Sequence, residues 1–243
     1  MKKGLHRPMS AAHMLAEQWR LGLLRTDPHY VDELLRRDCA ADLLALRVFP
    51  KSICKELSES AAMRAAAIQY LGCDPRDPSI VAVCPGDGAS PRTAALIAFT
   101  TQWTAIAVDP ELKRWHAKWP DGPHVAGRPV ARLETVAAKV EDVPAGIVIP
   151  PGRRVVMLAC HSHASLDASL AAIAWGVDEI GVAAMGCCFE QTLTGRTHDL
   201  EYIDDGVFSP QRVMRVWHPK ASEPCDSFKS RTCFVQPGFG GLP

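Results

Sequence analysis

From Ile80 to Met185 short apolar runs alternate with helix-like segments: SIVAVC before a helix opening at Pro91, TAIAVD before one opening at Pro110, a weaker RLETVAA before KVEDVPAGI, RRVVMLAC before SLDASLAAIAWG, and finally EIGVAAM. No other feature constrains the fold as strongly. Strands joined through helices run parallel, and a parallel sheet needs cover on both faces. Ligands in such folds bind outside the carboxyl ends of the strands. The later stretch HDLEYIDDGVFSPQRVMRVW places an Asp205-Gly206 turn between two runs that read as antiparallel strands. The expected fold is therefore α/β: a Rossmann-like, doubly wound, mostly parallel sheet with an antiparallel C-terminal strand, preceded by an α-helical N-terminal extension.

That extension reads helical up to about residue 72. AAHMLAEQWRLGLL is followed by a break at TDPHY, then by VDELLRRDCAADLLALRVF with apolar residues three and four apart, then by SESAAMRAAAIQYLG ending on a glycine. Two or three amphipathic helices result, serving as a lid or a packing layer. CDPRDPS, residues 73–79, is a turn-rich linker. The expected divisions are 1–74 for the extension, 75–220 for the sheet domain and 221–243 for an irregular tail ending in PGFGGLP.

Composition removes several classes of function. With 243 residues and 47% hydrophobic content the chain can bury a substantial core. Lys plus Arg total 27 and Asp plus Glu 27, so no global basic field gathers phosphate backbones, and nucleic acid is not indicated as a partner. No window approaches the ~20 apolar residues of a membrane span, so a soluble, cytoplasmic protein is expected. The nine cysteines are scattered, none in a CxxC pair, and Cys84 and Cys160 sit inside strand-like runs. They read as reduced, mostly buried thiols.

The turn CPGDGASP closes the first strand. Gly86 and Gly88 allow a sharp bend and a close backbone approach to a ligand. Ser90 before Pro91 reads as an N-cap followed by a first-turn proline, which would turn free N–H groups and the positive helix end toward the turn. The next strand ends in Asp109, 21 residues after Gly88, where a carboxylate can accept both hydroxyls of a ribose. Packing of a helix on a sheet is the alternative for the glycines, and capping of the helix at Pro110 the alternative for Asp109. A dinucleotide fingerprint would need a third glycine where Pro91 stands, which disfavours an NAD(P)-linked oxidoreductase.

The block Val81 to Asp109 resembles motif I of the class I methyltransferases, the seven-stranded superfamily that binds S-adenosylmethionine, and the resemblance extends over roughly residues 75 to 218. The usual motif is an acidic residue followed by xGxGxG. Here Cys84 stands in the acidic position and Ser90 in that of the last glycine; Asp87, inside the turn, is either a substitute charge or a turn-stabilising residue. The resemblance implies S-adenosylmethionine as cofactor, bound through Gly86, Asp87, Gly88, Ser90 and Cys160, with Asp109 on the ribose and Glu141 or Asp142 near the adenine.

The fourth strand ends in CHSHASLDA and the fifth in MGCCFEQ. In a methyltransferase sheet these ends are neighbours, gathering Cys160, His161, Ser162, His163, Asp167, Cys187, Cys188 and Glu190 around one pocket. The pair is faintly similar to a subgroup with HxCGxATD and PCC at these positions, which includes tRNA 2′-O-methyltransferase-like proteins. A neutral imidazole of His161 or His163 can take the proton from an acceptor. HxH with a CysCys pair is also a conceivable zinc or iron site, but the spacing departs from common zinc sites and no metal is expected. The expected function is methyl transfer to an unidentified acceptor, the alternative a non-catalytic nucleoside-binding module of the same fold. Oligomeric state is not legible.

Overall fold

The computed structural model describes residues 29–50, 52–143, 146–173, 179–188 and 190–219. The helix expected over 11–24 and the tail from 221 lie outside the described residues. Three helices come first: α1 (His29–Leu35), α2 (Ala40–Ala45) and α3 (Ile53–Gln69). Then follow β1 (Ile80–Pro85), α4 (Arg92–Thr100), β2 (Thr104–Val108), a 3-10 turn at Pro110–Leu112 running into α5 (Lys113–Lys118), a small hairpin of β3 (His124–Val125) and β4 (Arg128–Pro129), and β5 (Leu133–Val136). After a 3-10 turn at Val140–Asp142 come β6 (Arg154–Cys160), α6 (Leu166–Ala171), β7 (Gly181–Met185), β8 (Leu200–Ile203) and β9 (Val213–Trp217).

Seven strands form one sheet in the order β5-β2-β1-β6-β7-β9-β8. The first five are parallel, with Val83 opposite Ile106 on one side and Met157 on the other. β9 runs antiparallel to both of its neighbours and lies between β7 and β8. Alternation along each strand divides two cores. Ile80, Ala82 and Cys84 face α3 and α4 along with Ala105, Ala107, Val156 and Leu158. Val81, Val83, Ile106, Met157 and Ala159 face the layer of Leu166, Leu170 and Ile173. Alanines on the first face let the helices approach; a Cβ on Gly181 would come within 3.2 Å of the Leu71 side chain.

The helix expected over 58–72 starts earlier, at Ile53, and is not amphipathic in the ordinary sense. Every residue from Glu56 to Met63 is buried, including Ser58, Glu59 and Ser60. The reason is its position: α3 packs on β6 and β7 with α1 and α4 beside it. Ser58 Oγ accepts from Phe208 N at 2.9 Å, and Ser60 Oγ lies 3.3 Å from Thr93 Oγ1, so both serines are answered inside the protein. Of the two roles open to the N-terminal helices, α3 takes that of a packing layer. The chain leaves it through Gly72 at φ +63, with Cys73 N returning to Ala67 O at 3.0 Å.

The C-terminal pair departs from a tight turn at Asp205-Gly206. Ile203 pairs with Val213, so residues 204–212 form the connection. Asp204 is the cause: its Oδ1 accepts from Gly206 N at 3.0 Å, while its Oδ2 accepts from Tyr30 Oη at 2.8 Å and docks the connection onto α1. The acceptor also opposes ionisation of Tyr30, whose phenol is driven up first by burial and then by Asp204.

Candidate functional site

A cleft of about 700 Å³ opens at the carboxyl ends of β1, β2, β5 and β6. Gly86 and Gly88 line it after β1, Asp109 and Glu111 after β2, Lys139, Glu141 and Asp142 after β5, and His161 and His163 after β6. These are the strand ends at which the sequence placed its candidates. Asp87, Ser90 and Cys160 are not among the lining residues.

The turn is held from three directions. Gly86 has φ +66, and a Cβ there would stand 2.3 Å from Ser162 Oγ, so the β1 turn and the β6 end lock against each other only with glycine at this position. Gly86 N donates to Val108 O at 2.7 Å. Gly88 N donates to Asp109 Oδ2 at 2.9 Å, while Asp109 Oδ1 accepts from Glu111 N at 2.7 Å. Asp109 thus caps the 3-10 turn, as its alternative reading had it, and also fixes the glycine turn from the cleft side.

The helix start differs from the one expected. Thr93 N donates to Asp87 Oδ1 at 2.9 Å and Ala94 N to Asp87 Oδ2 at 3.0 Å, so the orphan amides of α4 are answered by Asp87 from inside the turn. Ser90 does not cap; its Oγ donates to Val48 O at 2.8 Å, pinning the loop before α3. The two-oxygen carboxylate reaches both amides at once, which a single hydroxyl cannot do. Asp87 is 3% exposed, and burial pushes its carboxyl up to about 6 against the pull of the Ala94 and Thr93 amides. Burial, with Asp87 beside it, likewise drives the Cys84 thiol far up, and burial with Glu59 beside it does so for Cys160. Both thiols are inert core groups.

His161 is the strained residue of the site, with φ +49 in the left-handed region. Its amide donates to Met185 O at 2.9 Å, its Nδ1 lies 2.9 Å from Gly186 O, and its Nε2 lies 2.8 Å from Glu59 Oε1. A carbonyl only accepts, so Nδ1 carries a hydrogen, and Nε2 faces the Glu59 carboxyl. Glu59 is 3% exposed: burial opposes its charge, but the bonds to His161, the nearby Lys55 and Ser209 together bring its carboxyl below the ordinary range. Beside it, Arg92 Nη1 is 3.2 Å from Glu56 Oε1, and Glu56 Oε2 is buried with no hydrogen-bond partner among the described residues. Glu56, Glu59 and Arg92 were missed in the sequence, as were Lys139 and Glu111. The one available signal was a pair of glutamates three apart in the small-residue setting ELSESAAMRAAA.

No family model matches the sequence, and no curated protein matches it at a significant level. Solved structures do. A point variant of MtNAS in complex with S-adenosylmethionine is 16% identical, with a TM-score of 0.42 over 85% of this chain and 81% of that one. Coclaurine N-methyltransferase bound to N-methylheliamine and SAH is 10% identical, with a TM-score of 0.32 over 84% and 64%. A 16S rRNA (adenine(1408)-N(1))-methyltransferase variant from Catenulisporales acidiphilia is 17% identical, with a TM-score of 0.29 over 53% and 57%. What decides the fold is the strand order: a dinucleotide-binding sheet runs 3-2-1-4-5-6 all parallel, and here an antiparallel seventh strand enters between the fifth and sixth. The chain has a Rossmann-like α/β fold with an antiparallel strand inserted near one edge, as the resemblance to the class I methyltransferases implied. In this fold the cleft lies at the switch point between β1 and β6, and its lining mixes four carboxylates with Arg92, Lys139 and two histidines. Such a lining suits a ligand with both hydroxyl and charged groups.

Proposed function

We propose that the protein binds S-adenosylmethionine in this cleft and transfers its methyl group to an acceptor held beside His163. The observation that carries the reading is Asp109: an almost buried carboxylate at the tip of β2, tied to the glycine turn through Gly88 and lining the cleft. A carboxylate oxygen has two acceptor sites, so Asp109 can keep its amide bonds and still accept ribose hydroxyls. Glu141 and Asp142 stand at the next strand end for the adenine edge, and Gly86 and Gly88 give the backbone room for the methionyl tail. Arg92, which lines the cleft, offers the carboxylate of that tail a cation.

Bound S-adenosylmethionine supplies a sulfonium with its own leaving group, so the chain's task is to align the acceptor and exclude water. His161 is committed at both ring nitrogens to Gly186 and Glu59. It therefore serves as a positioned wall of the cleft, and the acceptor's proton passes to His163 or to solvent. The missing charge at Cys84 favours a second reading, in which the site binds the nucleoside without transfer.

Calorimetry with S-adenosylmethionine against NAD tests the binding. We expect saturable binding of the first alone, weakened about 5- to 100-fold in Asp109→Ala through loss of charge-assisted hydrogen bonds. Wild-type affinity in that variant removes Asp109 from the site. Release of S-adenosylhomocysteine with candidate acceptors separates an enzyme from a binding module.

A further inference from the structure

Past the ends of β6 and β7 three donor atoms meet, and of these the transfer reading uses His163 alone. Cys188 Sγ lies 3.7 Å from His163 Nε2 and 3.4 Å from Cys187 Sγ. All three donor atoms fall within 4.8 Å of one another. Neighbouring residues on an extended strand point to opposite faces. Both cysteines, however, sit in the bend after Met185, where the chain has left extended geometry, and their side chains converge. They are also unlike Cys84 and Cys160. Cys188 is exposed and Cys187 half-buried, so neither fills the core.

The chemistry of the set is that of a thiophilic cation. Two cysteine thiolates and a neutral imidazole form the N/S set that zinc prefers. With Zn–S of about 2.3 Å and Zn–N of about 2.0–2.1 Å, tetrahedral ligand atoms stand roughly 3.5–3.8 Å apart. The observed separations of 3.4 and 3.7 Å between successive donors match this range, and the third pair, within 4.8 Å, closes by about 1 Å at most through side-chain rotation.

We propose that His163, Cys187 and Cys188 bind one zinc ion at the edge of the cleft, an open three-ligand site whose fourth position takes the heteroatom of the methyl acceptor. Three protein ligands with one position left over are the pattern of catalytic zinc, whereas structural sites are closed by four. Binding releases one proton from each cysteine thiol to solvent and transfers no electrons. His163 also lines the cleft, so it joins the ion to the ligand space. The ion makes an acceptor thiol or hydroxyl lose its proton to solvent on coordination, leaving a nucleophile at neutral pH, with His163 then a ligand and not the proton acceptor. The role of the fourth position rests on the transfer reading; the ion site does not.

The test uses the full chain, purified without a histidine tag and with its thiols reduced. Metal analysis and titration with zinc against a chromophoric chelator should give one ion per chain. Cobalt substitution should give a thiolate-to-cobalt charge-transfer band. Cys187→Ser, Cys188→Ser and His163→Ala should each weaken zinc by about tenfold or more, while Cys54→Ser, at an exposed thiol on α3, should leave affinity unchanged. The unfolding midpoint of each apo variant shows whether it is folded. Wild-type protein that takes up no zinc at micromolar free metal overturns the proposal. So does equal uptake by wild type and a variant lacking all three ligands, or a Cys187–Cys188 disulfide that persists in reductant. Stoichiometric zinc without S-adenosylmethionine binding would remove the transfer reading and leave the ion site; the reverse result would remove only the ion.

Discussion

Gly86 answers to two demands that no other residue meets together: a backbone at φ +66 and a neighbour, Ser162 Oγ, where a Cβ would be. Gly86→Ala should cost about 2–3 kcal/mol, the left-handed penalty plus the clash. In a chain of this size that lowers the unfolding midpoint by roughly 5–10 °C. Adding Ser162→Gly should restore only the part due to the clash, and an unaltered midpoint in the single variant would refute the packing described here. The Glu59–His161 pair makes a second residue-level forecast. Its side chains are 4% and 16% exposed, so Glu59→Ala leaves a polar ring without its partner and should cost about 3 kcal/mol. Glu59→Gln keeps an acceptor oxygen and should cost less; equal losses in the two variants would show that the bond to His161 contributes nothing. These two residues also show what a sequence can disclose. Gly86, Gly88 and Asp109 were legible because their spacing within one β-α-β unit fixes their geometry. Glu59 meets His161 across 102 residues, and no local pattern encodes that meeting.

At the scale of elements, the start of α4 carries a pH dependence with a definite sign. Asp87 is raised from 3.8 to about 6 by burial. A raised carboxyl binds its proton more tightly in the native state, so its contribution is fully present below the unfolded value near 3.8 and is lost as pH rises through about 6. Two units amount to about 3 kcal/mol. Asp87→Asn should therefore abolish a decline in stability between pH 4 and 7 relative to wild type, measured by denaturant unfolding; parallel curves would contradict the burial. Glu59 works in the opposite direction, since its lowered carboxyl gives stability that is present above the ordinary range and lost as pH falls. The same element shows why Ser90 misled: Ser-Pro is a good helix-opening signal, but a buried carboxylate three residues earlier competes for the same amides and wins by accepting two bonds. The β8–β9 connection misled for a similar reason, because Asp204 serves Tyr30 of α1 and that tertiary bond overrides a local turn preference.

Across the whole molecule, the alternation of strands and helices gave the parallel core with its strand limits nearly intact, because a strand buried on both faces is an apolar run that little else mimics. The place of β9 between β7 and β8 was out of reach, since pairing order among the last strands depends on which edge is left to cover. Among the described residues no helix is long and apolar enough to cross a membrane. If S-adenosylmethionine binds the native state alone, a concentration of 100 Kd should stabilise the chain by about 2.7 kcal/mol. That is a rise of roughly 5–10 °C in the unfolding midpoint, absent with NAD. A flat midpoint across the titration would rule out such binding. The helix α3 lends Leu57, Ala62 and Met63 to the core while lending Glu56 and Glu59 to the ligand end of the sheet. Foundation and workbench are thus the same piece of timber. Laboratory evolution toward a new acceptor should find that side of the cleft nearly immovable, with tolerated changes accumulating instead at Glu111 and Lys139 on the opposite, replaceable loops.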